Sequence, residues 1–174
     1  GKGMDRKLEI IQCARELIEE RGLAKTSVAA ITERMNVART LFYHYFPSKE
    51  DLVAAVLDTY VDEFIASLKE WNAQRDIEGA LDTIVALIRD QLFDNDNAHK
   101  PFRRALATHE NASLYLRFIN RVADASATYI VETTVADFGR LHKVRIDHIY
   151  ETFYMLILGI VGYMRQHPEA SDDV

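Results

Sequence analysis

Apolar residues recur three and four positions apart along almost the whole chain, while strict alternation is scarce, so the pattern predicts helices rather than strands. Ile10, Ala14, Leu17 and Ile18 form one stripe of a helix over about 5–21, and Glu9, Glu16, Glu19 and Glu20 stay in water. Gly22 reads as its cap, in the left-handed conformation. Thr26 and Ser27 offer capping oxygens to a short helix over roughly 27–35, with Val28, Ile31 and Met35 inward. Asn36 tolerates the positive φ of a tight turn. A second short helix covers about 38–45 and closes at Pro47, because the residue before a proline is pushed out of helical geometry. Ser48 then caps a longer helix whose first turn carries Glu50 and Asp51, where the helix dipole favours acids. It reaches about Trp71, and the polar stretch 72–76 reads as a joint.

Behind the joint the same period predicts helices over about 77–93, 99–109, 112–138 and 143–166, with a turn at 94–97 and a frayed tail over 169–174. The fold class is therefore all-α. A three-helix N-terminal domain over 4–50 precedes a helical bundle over 51–174, Gly1 to Gly3 being set aside.

Composition narrows the function. Apolar residues make up 48% and charged residues 28%, enough to bury a real core. Cys13 is the only cysteine, which excludes an intramolecular disulfide and a cysteine metal cage and fits a cytoplasmic setting. The longest apolar run, Met155 to Met164, is too short to span a bilayer, which takes roughly 20 residues. Net charge is −6, yet residues 1–50 carry nine Lys/Arg against seven Asp/Glu, whereas the rest carries twelve against twenty. A surface for phosphates belongs to the front; the acidic rear would repel it.

The front also has the shape for it. Two short helices on a tight turn, braced by a longer one, make a helix-turn-helix of three-helix type. A helix about 10–12 Å wide fits the major groove of B-DNA if its back is apolar and its front is polar. In the second short helix Val37, Phe42 and Phe46 can form the back, leaving Arg39, Thr40, Tyr43 and His44 for the front.

The runs Thr26-Ser27-Val28-Ala29-Ala30-Ile31, Asn36 to Phe46 and Ser48-Lys49-Glu50-Asp51-Leu52 resemble the DNA-binding signature of the tetracycline-repressor (TetR) family. The resemblance implies that Tyr43 and Lys49 hold backbone phosphates, with Thr26 or Ser27 adding a hydroxyl or backbone N–H. It makes Arg39 the candidate for a base edge, most naturally guanine, with His44 or Tyr45 left to packing. Asn36, Ala38, Thr40-Leu41 and Thr32 depart from the family pattern. Ala38 in particular lacks a capping oxygen, a loss of about 1 kcal/mol at the helix start. The resemblance further implies a homodimer on a palindromic operator, repression of transcription, and a four-helix interface from the helices over 112–138 and 143–166.

In the rear, Phe102, Tyr115, Phe118, Tyr129, Phe153 and Tyr154 stand out as candidates to line a cavity for a small apolar or aromatic effector. Ile157, Gly159, Ile160, Gly162 and Tyr163 are candidates for the subunit interface, since small residues let helices approach closely. His142, Asp147, His148 and Glu151 cluster in sequence, but the Glu-x-x-His pairs of a di-iron bundle are missing, so no metal site is expected. There is neither a nucleophile–base pair nor a Gly-rich phosphate loop; an enzyme or a cofactor is not expected. The alternative is a helical protein-interaction or small-molecule-binding module that has lost DNA binding.

Overall fold

The computed structural model describes residues 1–74, 112–133 and 147–167. Phe102, His142, the helices expected over 77–93 and 99–109, the turn at 94–97 and the tail lie outside the described residues. The described ones form α1 (Lys2–Arg21), α2 (Val28–Met35), α3 (Arg39–Tyr45), α4 (Lys49–Gln74), α5 (Ala112–Thr133) and α6 (Ile149–Gln166), with no strand among them. They divide into two compact units: 1–60 belong to the first, and 61–74, 113–133 and 147–167 to the second.

The first unit forms around the stripe of α1. Ile10, Ala14, Leu17 and Ile18 are at most 1% exposed, as are Ile31 of α2, Phe42 of α3 and Leu52 and Val56 of α4. Burying a side chain such as Phe42 contributes about 1.5–3 kcal/mol, and these contacts hold the short helices, which are too brief to persist alone. The turns follow local chemistry. Gly22 takes φ 85 with ψ 163, a glycine conformation more extended than the expected left-handed cap, while its N–H still reaches Ile18 O. The Ser27 side chain accepts from the Ala30 N–H, and Asn36 sits at φ 54, ψ 50, the left-handed geometry that its short polar side chain tolerates. Ala38 caps α3 without a side-chain bond, and Phe46 is extended ahead of Pro47. Ser48 Oγ accepts from the Asp51 N–H and opens α4.

Three boundaries differ from expectation, the first being that α1 already begins at Lys2 rather than near residue 5. Helix α4 continues through residues 72–74, inside the stretch read as a joint. Helix α6 starts at Ile149 rather than near 143, because Asp147 and His148 bend and His148 takes φ 55. In the second unit, Val122, Ala123 and Ala127 of α5 are fully buried, and Ile157 and Val161 form the inner stripe of α6.

Candidate nucleic-acid interface

Helix α3 rests on Phe42 (0% exposed) and Phe46 (3%), whose rings lie 5.8 Å apart, and Val37 is half-buried. That seat turns Arg39, Thr40, Tyr43 and His44 outward, all exposed. Tyr43 stands edge-on to Phe42 at 5.3 Å and is 52% exposed, so its ring is steadied while its hydroxyl faces water. Tyr45 is half-buried and T-shaped against His44 at 4.9 Å, the packing role left open between those two residues.

The brace is set by pairs that also sort the positive charge. Arg34 of α2 donates twice to the Glu20 carboxylate of α1, at 2.7 and 2.8 Å. The bidentate bond holds the Glu20 carboxyl below the usual carboxylate range and raises the guanidinium. Arg6 is paired with Glu9 and Arg15 with Glu19. Arg39, by contrast, makes no ion pair or side-chain hydrogen bond among the described residues, so its fork of donors is free. Behind the brace, Tyr60 of α4 donates to the Glu19 carboxylate and Arg15 lies over its ring at 4.1 Å. Burial and the Glu19 bond push the Tyr60 hydroxyl far above its ordinary range, so it stays a proton donor. The Cys13 thiol is likewise raised, by burial, and is a packed core group rather than a reactive one.

Two expected phosphate contacts need correction or detail. Thr26 is 1% exposed and its hydroxyl donates to Gly22 O at 2.9 Å, so it ties the turn together and has nothing left to offer DNA. Ser27 is the exposed partner of the pair. Lys49 is half-buried, and its ammonium donates to Leu23 O at 3.0 Å. An ammonium carries three donors, so two remain for a phosphate, and the carbonyl fixes where they are. Thr32, a departure from the pattern, is buried and satisfied by donating to Val28 O and Ala29 O.

The rear candidates do not act as one set. Tyr115 and Phe118 are packed inside the second unit, with Arg165 over the Tyr115 ring at 3.9 Å. Tyr129 is half-buried under Lys69 and Phe153 is half-buried. Tyr154 faces an open groove of about 610 Å³ between α5 and α6, lined also by Leu116, Arg117, Asn120, Asp124 and Tyr150. Tyr150 donates to Asp124 at 2.5 Å, which pushes its hydroxyl up to about 12. Of the interface candidates, Ile157 is 4% exposed and belongs to the unit's own core, so it cannot meet a partner. Gly159, Gly162 and Tyr163 are exposed and Ile160 is half-buried, on a stripe that Met155 and Leu156 extend at 64% and 47% exposure. Among the described residues no three metal-type side chains gather, and no helix is long and apolar enough to cross a membrane.

Three helices, a left-handed Asn turn and a polar third helix on an aromatic seat define a helix-turn-helix unit. Residues 10–56 match the family model described as bacterial regulatory proteins, tetR family. It is 35% identical over 106 residues to the HTH-type transcriptional regulator EthR of Mycobacterium tuberculosis, covering 59% of this chain and 47% of EthR. It is 27% identical over 128 residues to the HTH-type transcriptional repressor KstR2 of Rhodococcus jostii, covering 73% of this chain and 57% of that protein. The chain thus spans about half the length of these relatives. The fold matches that of RolR in complex with resorcinol, with TM-score 0.60 and 21% identity over 98% of this chain and 82% of RolR. It also matches a TetR/AcrR-family regulator from Thermobifida fusca, with TM-score 0.53 and 22% identity over 97% and 91% of the two chains.

Proposed function

We propose that the chain is a DNA-binding repressor of transcription that reads a palindromic operator as a homodimer, with residues 4–50 on DNA and 51–174 for dimerisation and an effector. The carrying observation is the face of α3: four exposed hydrogen-bonding side chains on a buried two-phenylalanine seat, with the Arg39 guanidinium unpaired among the described residues. A solvated helix surface has no need of so stiff a support. A helix entering a groove does, because recognition depends on fixed donor positions. Arg39 would reach a guanine edge and Thr40 or His44 a neighbouring base. Tyr43, Ser27 and Lys49 would hold phosphates.

Dimerisation is supported by the bare outer stripe of α6. A side chain added at Gly159 or Gly162 would meet nothing within 4 Å, so the backbone is open to close approach, flanked by Met155, Leu156 and Tyr163. A second copy on that stripe would set the spacing of two reading heads. A small apolar or aromatic effector in the second unit would change that spacing and release the operator. The name of KstR2 supports repression rather than activation. Selection of bound fragments from random duplexes tests the reading. Inverted half-sites about one helical turn apart are expected. Recovery of no enriched sequence would favour a helical module without DNA binding.

A further inference from the structure

The DNA contacts proposed above come from α2, α3 and the start of α4, yet α1 reaches the same surface. At about 100° per residue, Lys7 lies on the inward stripe of α1, on the turn before Ile10. Asp5, Glu9 and Glu16 lie on roughly the opposite side. Two contacts show where the stripe leads once the core ends. The Lys7 ammonium is 5.4 Å from the centre of the Phe46 ring, and a side chain built at Gly3 would meet the Tyr45 hydroxyl at 3.6 Å. Tyr45 and Phe46 are the C-terminal end of α3. The first turns of α1 therefore lie beside the end of the reading helix, with an exposed cation held there.

The neighbouring cation differs. Arg6 is bound to Glu9 at 2.8 Å and is neutralised locally. Lys7 makes no ion pair among the described residues. An aromatic face orients an ammonium without cancelling its charge.

We propose that Lys7 is a further contact to the DNA backbone, gripping the phosphate strand that borders the groove at the C-terminal end of α3. The inference rests on the DNA-binding reading and extends its footprint to a fourth helix. Phe46 then has two tasks, seating α3 from below and aiming Lys7 from the side.

Anisotropy titrations of the full chain test it, using a selected duplex and a random-sequence duplex of equal length between 50 and 200 mM salt. Lys7→Ala should weaken both duplexes alike and reduce the salt slope by about one per bound protomer, roughly threefold in affinity across that range. Lys7→Arg should keep the parent's slope. Lys69→Ala is the control, because Lys69 also lies over a ring, Tyr129, at 5.9 Å, but in the second unit. It should leave the slope unchanged. A parent that binds with a clear slope which Lys7→Ala does not alter would overturn the assignment, as would an equal reduction in Lys69→Ala. Loss of affinity at unchanged slope would mark a packing role and overturn it too. A parent that binds neither duplex would instead overturn the DNA-binding reading itself.

Discussion

The two units are built with the same helical period and put it to opposite use. In the first, the inner stripes are apolar and the exposed face of α3 offers Arg39, Thr40, Tyr43 and His44. In the second, the inner stripe of α6 is apolar, but so is its outer one, where Met155, Leu156 and Tyr163 stand at 64%, 47% and 47% exposure. An outward hydrogen-bonding face suits a partner that presents acceptors at fixed positions, such as base edges and phosphates. An outward apolar face suits another protein surface, because only burial removes it from water. The contrast teaches that the inner faces tell how each unit folds, and the outer faces tell what it meets.

The largest effect should come from removing the aromatic seat. Phe42→Ala leaves a cavity under α3 and should cost about 3–5 kcal/mol in denaturant unfolding, with DNA binding lost along with the fold. Next come neighbours on α6 that separate core from interface. Ile157→Ala should destabilise the second unit by about 2–5 kcal/mol. Leu156→Glu should instead shift the chain from dimer to monomer in sedimentation velocity; a Leu156→Glu protein that still sediments as a dimer would remove the outer stripe from the interface. On α3 the pattern inverts. Arg39→Ala should change stability by less than about 0.5 kcal/mol yet lose about 1–3 kcal/mol of binding to the selected duplex. The smallest effects are at the caps. Ser27→Ala should cost about 1 kcal/mol, and Ala38→Ser should recover up to about 1 kcal/mol by supplying the missing oxygen. Thermal melts of the pair check both signs.

Local chemistry was legible in the residues. Asn36 announced a positive φ, Ser27 a cap, and Pro47 an end, because each of these depends on a few neighbouring backbone groups. Contacts between distant segments were not. The Lys49 bond to Leu23 O spans 26 residues and the Tyr60 bond to Glu19 spans 41, and neither leaves a periodic trace. Thr26 had a carbonyl four residues back as well as open solvent within its reach, and only the fold of the turn decides between them. Ile157 was misplaced for a different reason. With both stripes of α6 apolar, hydrophobicity fixes the period of the helix but not its phase, so the inward side cannot be told from the outward one.

The central claim is that the exposed face of α3 reads DNA, and binding of single-base variants of the selected duplex by parent, Arg39→Ala, Tyr43→Ala and Lys49→Ala proteins tests it most directly. Arg39→Ala should flatten the preference at one position per half-site, while Tyr43→Ala and Lys49→Ala should weaken every variant alike. If all three bind each duplex as tightly as the parent does, α3 is not the reading helix.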